Sequence, residues 1–455
     1  MTEVPVASER RVCVIGAGTS GLVAAKALRD RGIDFECFDA SDRVGGLWVF
    51  NNKNGRSGAY RSLHINTSRD RMQFRDYPMP RSYPDYPRHE LIASYLEDYA
   101  RKFELNRHIR FQTEVSRVTP AERGGYDVVA GGKVTRFAAV IVANGHHWSP
   151  RLPLPPGQFD GVELHSHDYV DPSEPHELRG KRVVVVGFGN SAVDIACELG
   201  RDTSGGQVFL SVRRGAWVLP KYALGRPLDQ LSATPSFMPR WLRRQLAELW
   251  YRVAVGDPAC FGLPKPDHRL GDAHPTVSSE LLTQIGSGRV LPKPALSQRE
   301  GKRVRFADGS EQEVDAIVYA TGYDVSFPFF EPSFLAAPEN ELPLYFRVFH
   351  ARVPSVYFIG LCQPLGPIMP IAEAQAKLVA AHLAGEYRLP TPSEMDSSTA
   401  REREQVRRRF GNSPRHTMQL DFDEYLAALA REASAGRRRA RHAPRSATNG
   451  SPSRA

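Results

Sequence analysis

Gly16, Gly18 and Gly21 stand in G-x-G-x-x-G spacing, directly after the apolar run RVCVIG and directly before the helically periodic LVAAKALRDRG. Glycines so placed allow a tight turn, bring backbone N–H groups against a pyrophosphate, and let a helix pack closely on a strand. The helix N-terminus then faces the negative charge with free N–H groups and its dipole. Ser20 lies inside the same turn and belongs to the same contact set. The next apolar stretch, DFECFDA, ends in Asp39, 18 residues after Gly21. A carboxylate there accepts the ribose hydroxyls of an adenosine.

The device recurs. From Lys181 the chain reads KRVVVVG, then Gly187, Gly189, Asn190, Ser191 and Ala192, then VDIACELG. Its following strand, GQVFLSV, ends in Arg213 and Arg214 with no acid. An acid would repel a 2′-phosphate, whereas arginine binds one bidentately, so this copy selects NADPH over NADH. Two surface arginines closing a strand would look the same in sequence. One turn with an acid and one with arginine imply two different nucleotides: FAD held in the first, and NADPH visiting the second to pass a hydride to the flavin.

These motifs need strands and helices in alternation. The expected fold is α/β, with two Rossmann-like dinucleotide-binding domains and the NADPH domain inserted into the FAD domain. Boundaries are expected at 1–170 (FAD domain, first part), 171–295 (NADPH domain), 296–390 (FAD domain, second part) and 391–455 (a helical extension and basic tail). The run VDAIVYATGYD (Val314 to Asp324) is expected to return the chain to the first domain. At 455 residues there is room for about three units and a large core. With 41% hydrophobic and 24% charged residues, the composition excludes a collagen-like or disulfide-scaffold protein. No run reaches the roughly 18 apolar residues of a membrane span, and MTEVPVASERR does not read as a signal peptide.

The net charge of +9 does not identify a nucleic-acid partner. Arg437 to Ala455 holds six arginines and no acid, leaving +3 for the rest. That tail is expected to be disordered and solvated. The five cysteines, 13, 37, 197, 260 and 362, form no C-x-x-C, which suits a reducing cytoplasm. His165, His167 and Asp168 cluster, but an H-x-H pair supplies two ligands where structural sites assemble four, so no metal is expected. The amphipathic stretch Trp241 to Val253 reads as a core-facing helix.

With these features in place, the chain resembles the flavin-containing monooxygenases. The fingerprint F-x-G-x-x-x-H-x-x-x-Y appears as Phe159, Gly161, His165 and Tyr169, just before the second glycine turn. Further matches are VGGLW (44–48), SLHINTSRDRMQFRDYPMP (62–80), SVRRGAW (211–217), ATGYDVSFPF (320–329) and QPLGPIMPIAEAQ (363–375). The resemblance runs from about Val12 to about Gly385. It implies that NADPH reduces FAD, that oxygen adds at the flavin C4a to give a hydroperoxide, and that a soft amine or sulfide attacks it. The protein must then keep that oxidant dry and hydrogen-bonded. Asn66, in HINTSRD, matches the asparagine the family places near the flavin, where a neutral amide both donates and accepts. Gly46, Leu47 and Trp48 would line the flavin, and His165 would fix the connection between domains. Asn144 stands where the family often has threonine. Animal members end in a hydrophobic anchor, while this chain ends in the basic tail, so a soluble cytoplasmic protein of bacterial type is expected, compatible with a homodimer. The implied partners are O2 and a small amine or sulfide, with no nucleic acid and no membrane span.

Three alternatives remain at this stage. A Baeyer–Villiger monooxygenase acting on ketones would need a cation beside a deprotonated peroxide, and no arginine can be assigned that role. Tyr169, where those relatives usually carry tryptophan, also counts against it. A disulfide-type reductase lacks its C-x-x-C. A non-catalytic sensor docked through the tail would lose its partner on removal of residues 437–455.

Overall fold

Val12–Ile15 is buried at all four positions, as a strand with sheet neighbours on both edges and cover on both faces must be. It lies parallel between Phe35–Phe38 and Ala139–Val142. Ile109–Arg110 extends this sheet on one side, and Val356–Phe358, Phe349–His350 and Leu344–Tyr345 extend it on the other, giving seven strands. The helix Thr19–Arg29 leaves the first glycine turn and buries Leu22, Val23, Ala24, Ala25, Ala27 and Leu28. It packs on the helix Met369–Leu383. The computed structural model describes residues 11–232, 239–410 and 417–442.

The second sheet repeats the plan with five parallel strands. Arg182–Val186 lies between Gln207–Ser211 and Ala316–Tyr319, with Val290–Lys293 and Val162–His165 at the edges. An antiparallel meander precedes Ala139–Val142 in the first unit and Ala316–Tyr319 in the second. It is Val115–Pro120, Tyr126–Ala130 and Lys133–Phe137 in the first, and Leu296–Gly301, Arg303–Phe306 and Glu311–Glu313 in the second. Both turns also close identically. Gly16 (φ +105°) and Gly187 (φ +131°) leave no room for a side chain, because a Cβ would fall 2.5 Å from the Ala143 carbonyl oxygen and 2.4 Å from that of Ala320.

The chain leaves the first sheet after Val142 and rejoins it at Leu344, so the second unit is inserted. Its extent differs from expectation. The segment around Val314 to Asp324 does not return to the first sheet; Ala316–Tyr319 pairs with Arg182–Val186 in the second. Val162–His165 joins the same sheet through Ala316–Tyr319. Strand pairing therefore carries the second unit beyond 171–295 at both ends, from Gly157 to Tyr319. Periodicity reports that a strand is buried on both faces, but not which parallel sheet buries it.

The C-terminal arginines depart from expectation too. Residues 437–442 are the end of the helix Phe422–His442. Gly436 lets that helix close on Tyr387, where a Cβ would sit 2.0 Å from the ring. Arg439 donates to the Arg388 carbonyl at 3.0 Å and pairs with Glu432. The remainder of the tail, 443–455, lies outside the described residues. The helix Arg240–Ala254 turns Tyr251 inward against Trp217, ring centroids 4.9 Å apart, and leaves Leu246, Leu249 and Val253 exposed. Of the cysteines, Cys260 alone is exposed. Among the described residues no helix is long and apolar enough to cross a membrane.

A Cβ at Gly21 would lie 1.7 Å from the Gly16 carbonyl oxygen, both partners being rigid backbone. Gly21→Ala should therefore destabilise the fold by about 3 kcal/mol, at the upper end of overpacking costs. Gly286→Ala, where a Cβ meets nothing within 4 Å, should change stability by less than about 0.5 kcal/mol. Denaturant unfolding of the two variants checks the contrast.

Candidate active site

The first turn is built as an anion cradle. Gly16 N–H donates to the Phe38 carbonyl at 2.8 Å, fixing the turn to the neighbouring strand. Gly18 precedes the helix and faces Gly46 across the turn; a Cβ on Gly46 (φ +56°) would stand 3.0 Å from the Gly18 Cα. Only bare backbone fits between them. Ser20 abuts Gly360, where a Cβ would overlap its hydroxyl. Asp39 caps the adjacent strand end, one carboxylate oxygen accepting from Ala17 N–H and the other from Ser41 N–H at 2.7 Å. Burial pushes this carboxyl above its ordinary value, and the two N–H donors oppose that rise. Each oxygen keeps a lone pair for a ribose hydroxyl. Gly46–Trp48 forms a single helical turn, with Leu47 O held by Ser57 Oγ at 2.7 Å and Trp48 half-buried against the core.

The second turn has the same skeleton and different fittings. Gly187 N–H donates to the Ser211 carbonyl at 3.0 Å. Gly189 and Ser191 flank the start of the helix Asn190–Gly200, and Ala192 is fully buried beneath it. Asn190 serves the fold, its side chain accepting from Val277 N–H at 2.8 Å. The two arginines differ. Arg214 pairs with Asp267 at 2.8 Å, whereas Arg213 is exposed and has no ion-pair partner among the described residues.

Asn66 lies on the segment that runs between the two units. Its Oδ1 is buried and has no hydrogen-bond partner among the described residues. A buried amide end without a partner costs roughly 1–3 kcal/mol unless a ligand satisfies it. Neighbouring positions on this segment are tied to the second unit. Tyr60 OH donates to Asp194 at 2.6 Å, and Lys221 Nζ lies against His64 Nε2. Ser68 N–H donates to Asp229 at 2.7 Å. Asp194 and Glu198 both point inward from the helix Asn190–Gly200, and Glu198 accepts from Tyr169 OH at 3.0 Å. Sequence reading missed Tyr60, His64, Asp194 and Lys221. The one local signal was two acids four apart in an otherwise apolar helix.

The fingerprint residues thread the second unit. Phe159 and Tyr169 are buried, and Gly161 has no room for a Cβ, which would stand 2.4 Å from the Asp315 carbonyl. His165 is 2% exposed, and burial pushes it down to about 4, so it is a neutral imidazole. Its Nδ1 accepts from His167 N–H at 3.0 Å. Asn144 donates to the Ser326 carbonyl at 3.0 Å. Among the described residues no three His, Cys, Asp or Glu side chains converge as metal ligands.

A family profile described as flavin-binding monooxygenase-like matches residues 9–437. The chain belongs to that family. Flavin-containing monooxygenase 5 of Homo sapiens is 37% identical over 446 residues, 93% of this chain and 82% of that protein. Dimethylaniline monooxygenase [N-oxide-forming] 2 of Rattus norvegicus is 36% identical, covering 94% and 83%. The structure of S-allyl-L-cysteine S-oxygenase from Allium sativum superposes with a TM-score of 0.69 at 27% identity, covering 94% of this chain and 89% of that one. This flavin-binding monooxygenase is an NADPH-dependent FAD enzyme, and its two closed glycine turns fit those two dinucleotides.

In this flavin-binding monooxygenase, Arg213→Ala should raise the KM for NADPH by about 10- to 150-fold, corresponding to a lost charged contact of about 1.5–3 kcal/mol. The KM for NADH should stay nearly unchanged. Arg214→Ala should have the smaller effect, its guanidinium being engaged by Asp267. Steady-state kinetics with both nucleotides checks this.

Proposed function

We propose that the chain oxygenates soft nucleophilic nitrogen or sulfur atoms of small molecules, using NADPH and O2. The observation that carries this reading is the buried amide oxygen of Asn66, without a partner among the described residues, on a segment whose Tyr60 and Ser68 bond to the second unit. The names of two relatives support it, one forming an N-oxide and one oxygenating sulfur.

Bound FAD, once reduced by NADPH, supplies the activated oxygen. The protein's part is placement. The N–H groups of Gly18, Ser20 and Gly21 would receive the FAD pyrophosphate, Asp39 its ribose, and Gly46, Leu47 and Trp48 would line the flavin. The turn from Gly187 to Ala192 would receive the NADPH pyrophosphate, with Ser191 at the helix start and Arg213, backed by Arg214, at the 2′-phosphate. Asn66 would hold the reactive oxygen through a neutral amide, which adds no charge to the cleft. An amine or sulfide brings its own lone pair, so no general base is required of the chain.

The purified enzyme should convert methyl phenyl sulfide to its sulfoxide and N,N-dimethylaniline to its N-oxide, with close to one product per NADPH. NADPH consumption that yields hydrogen peroxide alone, with every amine and sulfide tried, would refute the reading. Asn66→Asp should keep its flavin and raise the peroxide share of NADPH consumption several-fold. Unchanged coupling in that variant removes Asn66 from the chemistry.

A further inference from the structure

A carboxylate beside the adenosine ribose decides between the two nicotinamide nucleotides. It accepts the 2′-hydroxyl of NADH and repels the 2′-phosphate of NADPH, whereas a free arginine does the reverse. The strand end of the second unit carries no acid of its own. Ile15, before the first glycine turn, pairs with Phe38, and Val186, before the second, pairs with Ser211. Val212 therefore stands where the first unit has Asp39.

An acid reaches this place from 53 residues along the chain. Arg214 directs Nε and Nη2 at the same Asp267 oxygen, at 2.9 and 2.8 Å. The other Asp267 oxygen faces His268 Nδ1 at 2.9 Å. The hydrogen bond to His268, with Arg214 beside it, holds the carboxyl below its ordinary value, so it is ionised at neutral pH. An ionised carboxylate only accepts, so Nδ1 carries the ring proton. His268 is itself fixed, its carbonyl accepting from Trp217 Nε1 at 3.0 Å. The carboxylate is thus oriented from both sides, and each oxygen keeps a lone pair for a hydroxyl.

The segment that carries Asp267 walls the second glycine turn. Gly215 bridges Pro266, and a Cβ on Gly215 would fall 2.3 Å from the carbonyl oxygens of Pro264 and Lys265. Further along, Thr276–Val277 pairs in parallel with Val218–Leu219. Thr276 Oγ1 donates to the Phe188 carbonyl at 2.6 Å, and Val277 N–H to the Asn190 side chain at 2.8 Å. Residues 264–277 therefore grip both the strand end that bears the arginines and the turn that follows Gly187. Asp267 and Arg214 are each about half exposed, so a ligand can reach the pair. Ion pairs this open to water are weak, and a dianionic phosphate can displace the carboxylate.

We propose that Asp267 is a specificity-determining residue of the second nucleotide site, competing with the 2′-phosphate of NADPH for Arg214 and accepting the ribose 2′-hydroxyl of NADH. The inference rests on the placing of the 2′-phosphate at Arg213 and Arg214 given above. The enzyme then takes NADH as a second hydride donor, and Arg213 sustains the preference for NADPH while Asp267 engages Arg214. Nothing local marks Asp267 in the sequence, because its meaning arises only where Pro266 meets Gly215.

The test measures binding of adenosine 2′,5′-bisphosphate and of NAD+ to the oxidised, FAD-loaded enzyme by titration calorimetry, with kcat/KM for NADPH and NADH alongside. Asp267→Asn should tighten the bisphosphate about fivefold and weaken NAD+ about fivefold, with kcat/KM moving the same way for the matching nucleotides. Asp267→Glu, which keeps the charge, should restore the wild-type order. Damage to the fold would weaken both ligands together, so opposite signs identify a specificity role. Both ligands moving in one direction, or neither moving, overturns the proposal. If Arg213→Ala weakens the bisphosphate while Asp267→Asn changes nothing, this proposal falls and the phosphate assignment stands. If Arg213→Ala and Arg214→Ala both leave bisphosphate binding unmoved, both fall.

Discussion

Among the described glycines the tightest constraint is the contact between Gly21 and the Gly16 carbonyl, where not even a methyl group fits. It fixes the helix Thr19–Arg29 on the end of the central strand, and so sets where free N–H groups point. The distance from Gly18 to Gly46 and the place of Asp39 follow from it, because each is hydrogen-bonded or packed against that turn. Steric exclusion here acts as a positioning force. The turn is rigid because the only residue small enough leaves nothing to move.

The second unit adds what a single nucleotide module lacks. It clamps the segment 60–68 through Tyr60–Asp194, His64–Lys221 and Ser68–Asp229, so the backbone on both sides of Asn66 is held by the second unit. Tyr169 closes the same arrangement by bonding Glu198, four residues after Asp194 on the same helix. The helix that would receive NADPH therefore touches the segment that would face the flavin. Buried carboxylates are costly unless paired, and each of these two has a tyrosine partner.

Much of this was legible in sequence because its determinants are local. Gly16 to Gly21, Asp39, Gly187 to Ala192 and Arg213 each carry their meaning within a few residues, and the structure seats them as glycine turns and strand ends. What was not legible depends on contacts distant in sequence. Ala316–Tyr319 reads as a buried strand, and nothing in four apolar residues says which of two parallel sheets receives it. Arg437 to His442 looked like a solvated tail because the docking of Gly436 and Arg439 on Tyr387 and Arg388 is invisible without the fold. Asn190 has the type and place of a ligand contact, yet its side chain holds Val277. His64 and Lys221 had no mutual signal at all.

The two units share more than a glycine turn. Each has an 11-residue helix, a three-stranded antiparallel meander, and an alanine carbonyl lying against the first glycine of its turn. After that alanine the chain reads Asn144-Gly145 in one copy and Thr321-Gly322 in the other. Correspondence at this depth, with one copy lodged inside the other, is the trace that an internal gene duplication leaves. On that view the acid at 39 and the arginine at 213 mark where the two descendants of one ancestral half diverged at the end of the strand that follows the helix.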